Sequence, residues 1–251
     1  MSDLQVMRLA GSDGKLIRYD RIEGRDRQIL FITGLLSKRW GNKSKALAEW
    51  CREQDWGFCC YDVRGFGDSE GTFTDYTLSD WIDDARAVVS LLQDGPRLTI
   101  VGNSLGGWIA WLLAQELPIV EGLVLIAPAF NMMGERAREI SVERHDRWRT
   151  TGRMPWDDDA LHKDWPLSWK WVEESEACWA KTFDRLRLVK TTILHGLQDT
   201  VIPPAGSWRF VEEVLRRDPE FPIELLLKTG DHRLSNPEHL DTFHRLVVGG
   251  P

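Results

Sequence analysis

The run Gly102-Asn103-Ser104-Leu105-Gly106 spells G-x-S-x-G. A serine hydroxyl becomes a useful nucleophile when a sharp turn lifts it clear of its own backbone and a base can take its proton. Flanking glycines leave room for so tight a turn. In a chain with 21 glycines the bare motif could arise by chance, so its setting decides. The β-forming residues Leu98 to Val101 precede it, and a helical pattern carrying Trp108, Trp111, Leu112 and Gln115 follows. A strand, a turn at Ser104 and a helix are therefore expected, with the helix N-terminus favouring negative charge that develops beside the serine.

Ser104 needs a base, and the chain has six histidines. His145 and His162 fall in a charged stretch and are expected in solvent. His239 and His244 lie at helical spacing in the last helix, as surface or packing residues. His195 sits inside the apolar run TTILHGLQD and reads as a satisfied core histidine. His232 differs: it follows IELLLKTGD, at the C-terminal end of the last apolar run. Catalytic groups collect at that edge of an open α/β sheet, so His232 is the expected base. The acid should fall between nucleophile and base, and Asp199, closing TTILHGLQD, fits. Asp231 adjoins His232 and is read as a turn residue, and Asp157, Asp158 and Asp159 as a solvated helix start. The backbone N–H groups of Leu105 and of Leu35, just after Gly34, are the expected oxyanion donors.

These positions require a scaffold of short strands alternating with helices, an α/β fold with a mainly parallel central sheet flanked by helices. An opening hairpin is read in LQVMRLA and KLIRYDRIE, and strands in QILFITG, GFCCYDV, LTIVGNS, EGLVLIAPAF, TTILHGLQD and IELLLKTG. The alternation breaks across residues 131–182, where six of the thirteen tryptophans fall: Trp148, Trp156, Trp165, Trp169, Trp171 and Trp179. The division expected is a core of 1–130 and 183–251 interrupted by a Trp-rich helical cap, 131–182. Exposed tryptophan is costly. Part of this set should pack the cap onto the core, and the rest should line an apolar acyl pocket above Ser104, with Trp165 and Trp169 as first candidates.

Taken together, FITGLLS, YDVRGFGDSEG, TLSDWIDDA, IVGNSLGGW, LHGLQDTVIP and GDHR resemble one branch of the α/β-hydrolases. It is the branch containing the mitochondrial palmitoyl-protein thioesterase, also called mycophenolic acid acyl-glucuronide esterase. The resemblance runs from about residue 28 to 113 and from about 191 to 235, and is weaker across the cap. It implies the α/β-hydrolase fold and hydrolysis of acyl esters or thioesters, with Ser104, Asp199 and His232 in the corresponding roles.

Composition narrows the function classes. A net charge of −7 argues against nucleic acid or anionic membrane as the main partner. No apolar run reaches membrane-spanning length, and Cys51, Cys59, Cys60 and Cys178 show neither metal spacing nor a disulfide framework. The opening MSDLQVMRLAGSDGK resembles neither a secretory signal nor a transit peptide, so a cytoplasmic enzyme is expected. Its partner should be a small acyl ester or S-acylated substrate, with no metal or organic cofactor required. Two alternatives stand beside this reading. One is a serine peptidase of the prolyl-oligopeptidase or aminopeptidase type, with Glu173, Glu174 or Glu176 holding a peptide terminus. The other is a non-catalytic ligand receptor on the same fold. A haloalkane dehalogenase needs a carboxylate where Ser104 stands.

Overall fold

A computed structural model of the protein describes residues 5–95, 97–154 and 165–249. Strands β1 (Gln5–Ala10) and β2 (Leu16–Ile22) form the opening hairpin, whose turn is closed by the Gly11 N–H donating to the Lys15 carbonyl at 2.8 Å. β3 (Gln28–Ile32), β4 (Gly57–Tyr61), β5 (Leu98–Asn103), β6 (Val120–Ile126), β7 (Lys190–Gly196) and β8 (Ile223–Lys228) complete an eight-stranded sheet. Its order is β1-β2-β4-β3-β5-β6-β7-β8. β1, β2 and β4 pair antiparallel, and every pairing from β4 across to β8 is parallel. QILFI of β3 and GFCCY of β4 are buried at every position, as expected of parallel strands covered on both faces.

The covering helices follow from the apolar stripes. α1 (Asn42–Glu53) and α8 (Pro237–Val248) pack on one face, where Leu47, Cys51, Phe243 and Val247 meet Ile29, Phe31 and Val101. α2 (Leu78–Ser90), α3 (Leu105–Glu116) and α7 (Ala205–Arg217) cover the other face. α2 buries Leu78, Trp81, Ile82, Ala85, Val88 and Val89, and its start is fixed by a capping box in which Asp80 accepts from the Thr77 N–H at 2.8 Å. α8 opens in the same spirit, with Asn236 accepting from the His239 N–H at 2.9 Å and Pro237 in the first turn.

Between β6 and β7 the described residues hold three helices and no strand: α4 (Met132–Glu139), α5 (Val142–Thr151) and α6 (Lys170–Lys181). Trp156, Asp157, Asp158, Asp159 and His162 lie outside the described residues. The apolar run ending at Phe130 reads as one strand, but β6 stops at Ile126. Ala127 takes φ 44°, which ends the extended backbone, and the chain then crosses over the end of β5, where the Ala129 N–H donates to the Ser104 carbonyl at 3.0 Å.

Candidate active site at the C-terminal edge of the sheet

Ser104 occupies the turn between β5 and α3 with φ 53° and ψ −121°, a conformation that costs a non-glycine residue roughly 1–3 kcal/mol. Its own backbone holds it there. The Ser104 N–H donates to the Ile126 carbonyl at 2.8 Å, and its carbonyl accepts from the Gly107 and Ala129 N–H groups at 2.9 and 3.0 Å. The motif glycines are required by close approach. A Cβ on Gly106 would stand 2.3 Å from the Ile32 carbonyl oxygen, and one on Gly102 would stand 2.4 Å from the Gly106 carbonyl oxygen. The backbone at the end of β3 thus passes directly against the first turn of α3.

Three separate elements bring Ser104, His232 and Asp199 together. Ser104 Oγ lies 3.1 Å from His232 Nε2, and His232 Nδ1 lies 2.7 Å from Asp199 Oδ2. A carboxylate only accepts, so Nδ1 carries the ring proton and Nε2 is left to accept from the serine hydroxyl. Asp199 Oδ1 accepts from the Val201 and Ile202 N–H groups at 2.9 and 2.8 Å. Burial pushes the Asp199 carboxyl up. Hydrogen bonds from His195, His232 and the Ile202 N–H outweigh it and hold the group well below the usual carboxylate range. Asp199 is thus an anion facing His232 at any ordinary pH.

The loop carrying His232 is tied down on three sides. Asp231 Oδ1 accepts from the Arg233 and Leu234 N–H groups at 3.0 and 3.2 Å, the turn role expected of it. His239 is buried and donates from Nε2 to the Thr229 carbonyl at 2.7 Å. Lys43 reaches from α1 to the Arg233 carbonyl and to Ser235 Oγ at 3.2 Å. Burial lowers the Lys43 ammonium to about 8, against an opposing pull from Asp231.

Leu105, as the first residue of α3, presents its N–H at the helix start beside Ser104, where backbone donors lack intrahelical partners. Leu35 lies in the turn after β3, closed by the Ser37 N–H donating to the Gly34 carbonyl at 3.2 Å, with Leu36 in the left-handed region at φ 53°. Arg39, on the same loop, is buried against Asp20 at 2.6 Å and Asp68 at 2.8 Å and also pairs with Asp62. This pins the Leu35 loop to the segment after β4. Nothing in the local sequence distinguishes Arg39 or Lys43 from surface cations, because both partner sets are remote in the chain.

The two tryptophans singled out for a pocket have different surroundings. Trp165 is half-buried, edge-on to Phe66 and Phe73 at 5.1 and 5.3 Å, so it rests on the loop after β4. Trp169 packs among the inserted helices, 5.4 Å from Trp148 and 4.9 Å from His145. Trp171 is buried against Trp81 at 4.9 Å and donates to the Tyr76 carbonyl at 3.2 Å, joining α6 to α2. Glu174 is committed to the same joint, accepting from the Ser79 N–H at 2.8 Å and Thr77 Oγ1 at 3.0 Å, and Glu176 pairs with Asn131 and Arg138. Among the described residues no group of His, Cys, Asp and Glu could hold a metal ion, and no helix is long and apolar enough to cross a membrane.

A mostly parallel eight-stranded sheet, helices on both faces and a serine at a strand-to-helix elbow define an α/β-hydrolase fold. The chain belongs to the serine aminopeptidase S33 family of hydrolases, whose pattern it matches over residues 26–224. Among curated proteins it is similar to the mitochondrial palmitoyl-protein thioesterase ABHD10 of Bos taurus, at 25% identity over 224 residues, covering 87% of this chain and 71% of that one. Mouse alpha/beta hydrolase domain-containing protein 10 has a similar structure, with TM-score 0.83 and 25% identity, covering 98% of this chain and 97% of the other. A crystal structure of an Agrobacterium vitis protein shares the fold, with TM-score 0.86 at 24% identity and coverage of 98% and 97%.

Proposed function

We propose that this hydrolase cleaves carboxylic esters or thioesters through an acyl-enzyme on Ser104. The observation that carries the reading is the unbroken line of hydrogen bonds from Ser104 Oγ through His232 to Asp199, with 3.1 and 2.7 Å contacts. His232 Nε2 takes the hydroxyl proton as Ser104 Oγ bonds to the substrate carbonyl carbon. The carbonyl electrons move onto oxygen, where the Leu35 and Leu105 N–H groups are proposed to stabilise them. Collapse breaks the bond to the alcohol or thiol, which leaves with the proton from His232. Water, deprotonated by His232, then attacks the acyl carbon and frees Ser104. Protein groups alone complete these steps.

Residues 131–182 are read as a cap over a core of 1–130 and 183–251, supported by the Trp171 and Trp165 contacts to core residues. An apolar acyl pocket beneath it, with Trp165 at its wall, suits the uncharged acyl chains of esters and thioesters. The thioesterase name of the similar bovine protein agrees with this substrate class. The family's aminopeptidase description keeps amide cleavage as a second reading. That reading needs a carboxylate for a peptide amine: Glu174 and Glu176 are engaged elsewhere, which leaves the exposed Glu173 of α6 as its candidate. The free thiols, three of them buried, favour a reducing compartment such as the cytoplasm, while the mitochondrial designation belongs to the named relatives.

The test is labelling by a fluorophosphonate probe, run beside p-nitrophenyl ester, acyl-CoA and peptide substrates. Ser104→Ala should fold, lose labelling and lose ester hydrolysis. A folded Ser104→Ala protein that keeps its esterase activity would overturn the reading.

A further inference from the structure

Asp199 stands between two imidazoles. His195, on β7, is fully buried, and its Nε2 lies 3.1 Å from Asp199 Oδ2, the same oxygen that faces His232. That nitrogen also lies 2.9 Å from the Ile202 carbonyl oxygen. Both neighbours are pure acceptors, so Nε2 of His195 must carry a proton. On the far side of the ring, Nδ1 lies 2.8 Å from Ser207 Oγ on α7. A hydroxyl can donate to that nitrogen, and it does so when the ring is neutral. The neutral ring of His195 thus holds the tautomer opposite to that of His232.

The carboxylate between them is fully subscribed. Oδ2 accepts from two ring N–H groups, and Oδ1 accepts from the Val201 and Ile202 N–H groups. Rotating the carboxyl would break bonds on both oxygens at once. A core histidine needing only satisfaction could have spent its proton on the Ile202 carbonyl alone. Its approach to the very oxygen that orients His232 points to a further role.

We infer that His195 is a positioning residue for the Ser104–His232–Asp199 relay, with Ser207 anchoring the far side of its ring. The inference rests on the triad reading above. His195 donates in every step and transfers no proton. It locks Asp199 so that Oδ2 meets His232, and it withdraws negative charge from that oxygen. Asp199 lies between His195 and the serine side of the site, so substrate binding should not sense the ring directly. The ionisable groups hydrogen-bonded to it among the described residues are Asp199 alone, with His232 across the shared oxygen.

The test compares His195→Phe, His195→Gln and Ser207→Ala with wild type and Ser104→Ala, using one p-nitrophenyl ester. Glutamine can return an N–H near the position of Nε2, and phenylalanine cannot. His195→Phe should lose roughly 10–100-fold in kcat with KM within about twofold. Its acid limb of kcat/KM against pH should move upward, because an oxygen relieved of one donor holds protonated His232 more strongly. His195→Gln should recover most of kcat and return the limb toward wild type. Should His195→Phe fail to fold, Ser207→Ala carries the test, with a several-fold fall in kcat at unchanged KM and near-normal Tm. The inference is overturned if kcat and the pH profile of the folded variants match wild type while only Tm falls. Equal loss in Gln and Phe variants overturns it as well. An active Ser104→Ala removes the triad reading and this inference together. An inactive Ser104→Ala beside unaffected His195 and Ser207 variants removes the inference alone.

Discussion

Gly34 abuts Ser104 so closely that a methyl group on Gly34 would stand 3.0 Å from the serine Cβ and 3.3 Å from the Asn103 side chain. The neighbour that must yield is backbone-anchored and already strained. Gly34→Ala should therefore push the Leu35 loop away from the elbow. A misplacement of about 1 Å costs about 10²-fold in rate when it displaces a group that must meet the transition state, and the smaller shift needed here should cost a part of that. The expected outcome is a several-fold fall in kcat with a modest fall in Tm, measured by ester hydrolysis and thermal melting. Unchanged kcat would show that the Leu35 loop does not contribute to the reaction.

Asp199→Asn tests the acid. The amide keeps one oxygen for the Val201 and Ile202 N–H groups but turns a donor toward two imidazole nitrogens that now donate. His232 would be driven to the wrong tautomer, with Nε2 protonated against Ser104. Activity should fall by about 10⁴-fold, and fluorophosphonate labelling should slow in parallel. A loss of less than about tenfold in a folded variant contradicts the assignment.

Lys43 gives stability a pH dependence with a definite sign. Its ammonium titrates near 10.5 in the unfolded chain and near 8 in the folded one. Between those values the unfolded chain holds a proton that the folded chain has released, so stability rises with pH across that window. Below the lower value both states are charged and the full burial penalty is present. Lys43→Met has no such proton. The stability of wild type relative to Lys43→Met should increase from pH 8 to 10.5, by at most about 3 kcal/mol. Urea midpoints of the two proteins measured in parallel cancel the cysteine and tyrosine contributions. A flat difference would mean that Lys43 stays charged against the Arg233 carbonyl.

The inserted helices should govern acyl-chain preference. Each methylene sheltered from water contributes about 0.8 kcal/mol, so a true pocket gives several-fold preference per added carbon until it is full. p-Nitrophenyl esters from acetyl to decanoyl should show such a rise. Trp165→Ala, which removes the ring resting on Phe66 and Phe73, should shift the optimum while Ser104 labelling persists. Trp169→Ala should mainly lower Tm, because that ring packs on Trp148 and His145. A flat profile untouched by either substitution would leave the helices a structural lid only.

The sequence by itself determined what is local. Short apolar runs and helical stripes define the order of strands and helices, and the strand-turn-helix around Ser104 is legible because all its parts lie within about twenty residues. The chain ends of β7 and β8 place Asp199 and His232 at the edge of the sheet that carries Ser104, since parallel strands share a direction. Tertiary structure decided the rest. His195 reads as core filler, and its burial agrees, yet only the turn after β7 brings it back onto Asp199, and only the packing of α7 sets Ser207 against its other nitrogen. Trp165 and Trp169 look alike in sequence and are both half-buried, but one rests on a core loop and the other packs on Trp148 and His145 of the inserted helices. Lys43 meets the His232 loop 190 residues away. Apolar periodicity records which face of an element is buried. It does not record which polar atoms meet across that burial, because a hydrogen bond between distant segments depends on fractions of an ångström that only the packed chain supplies.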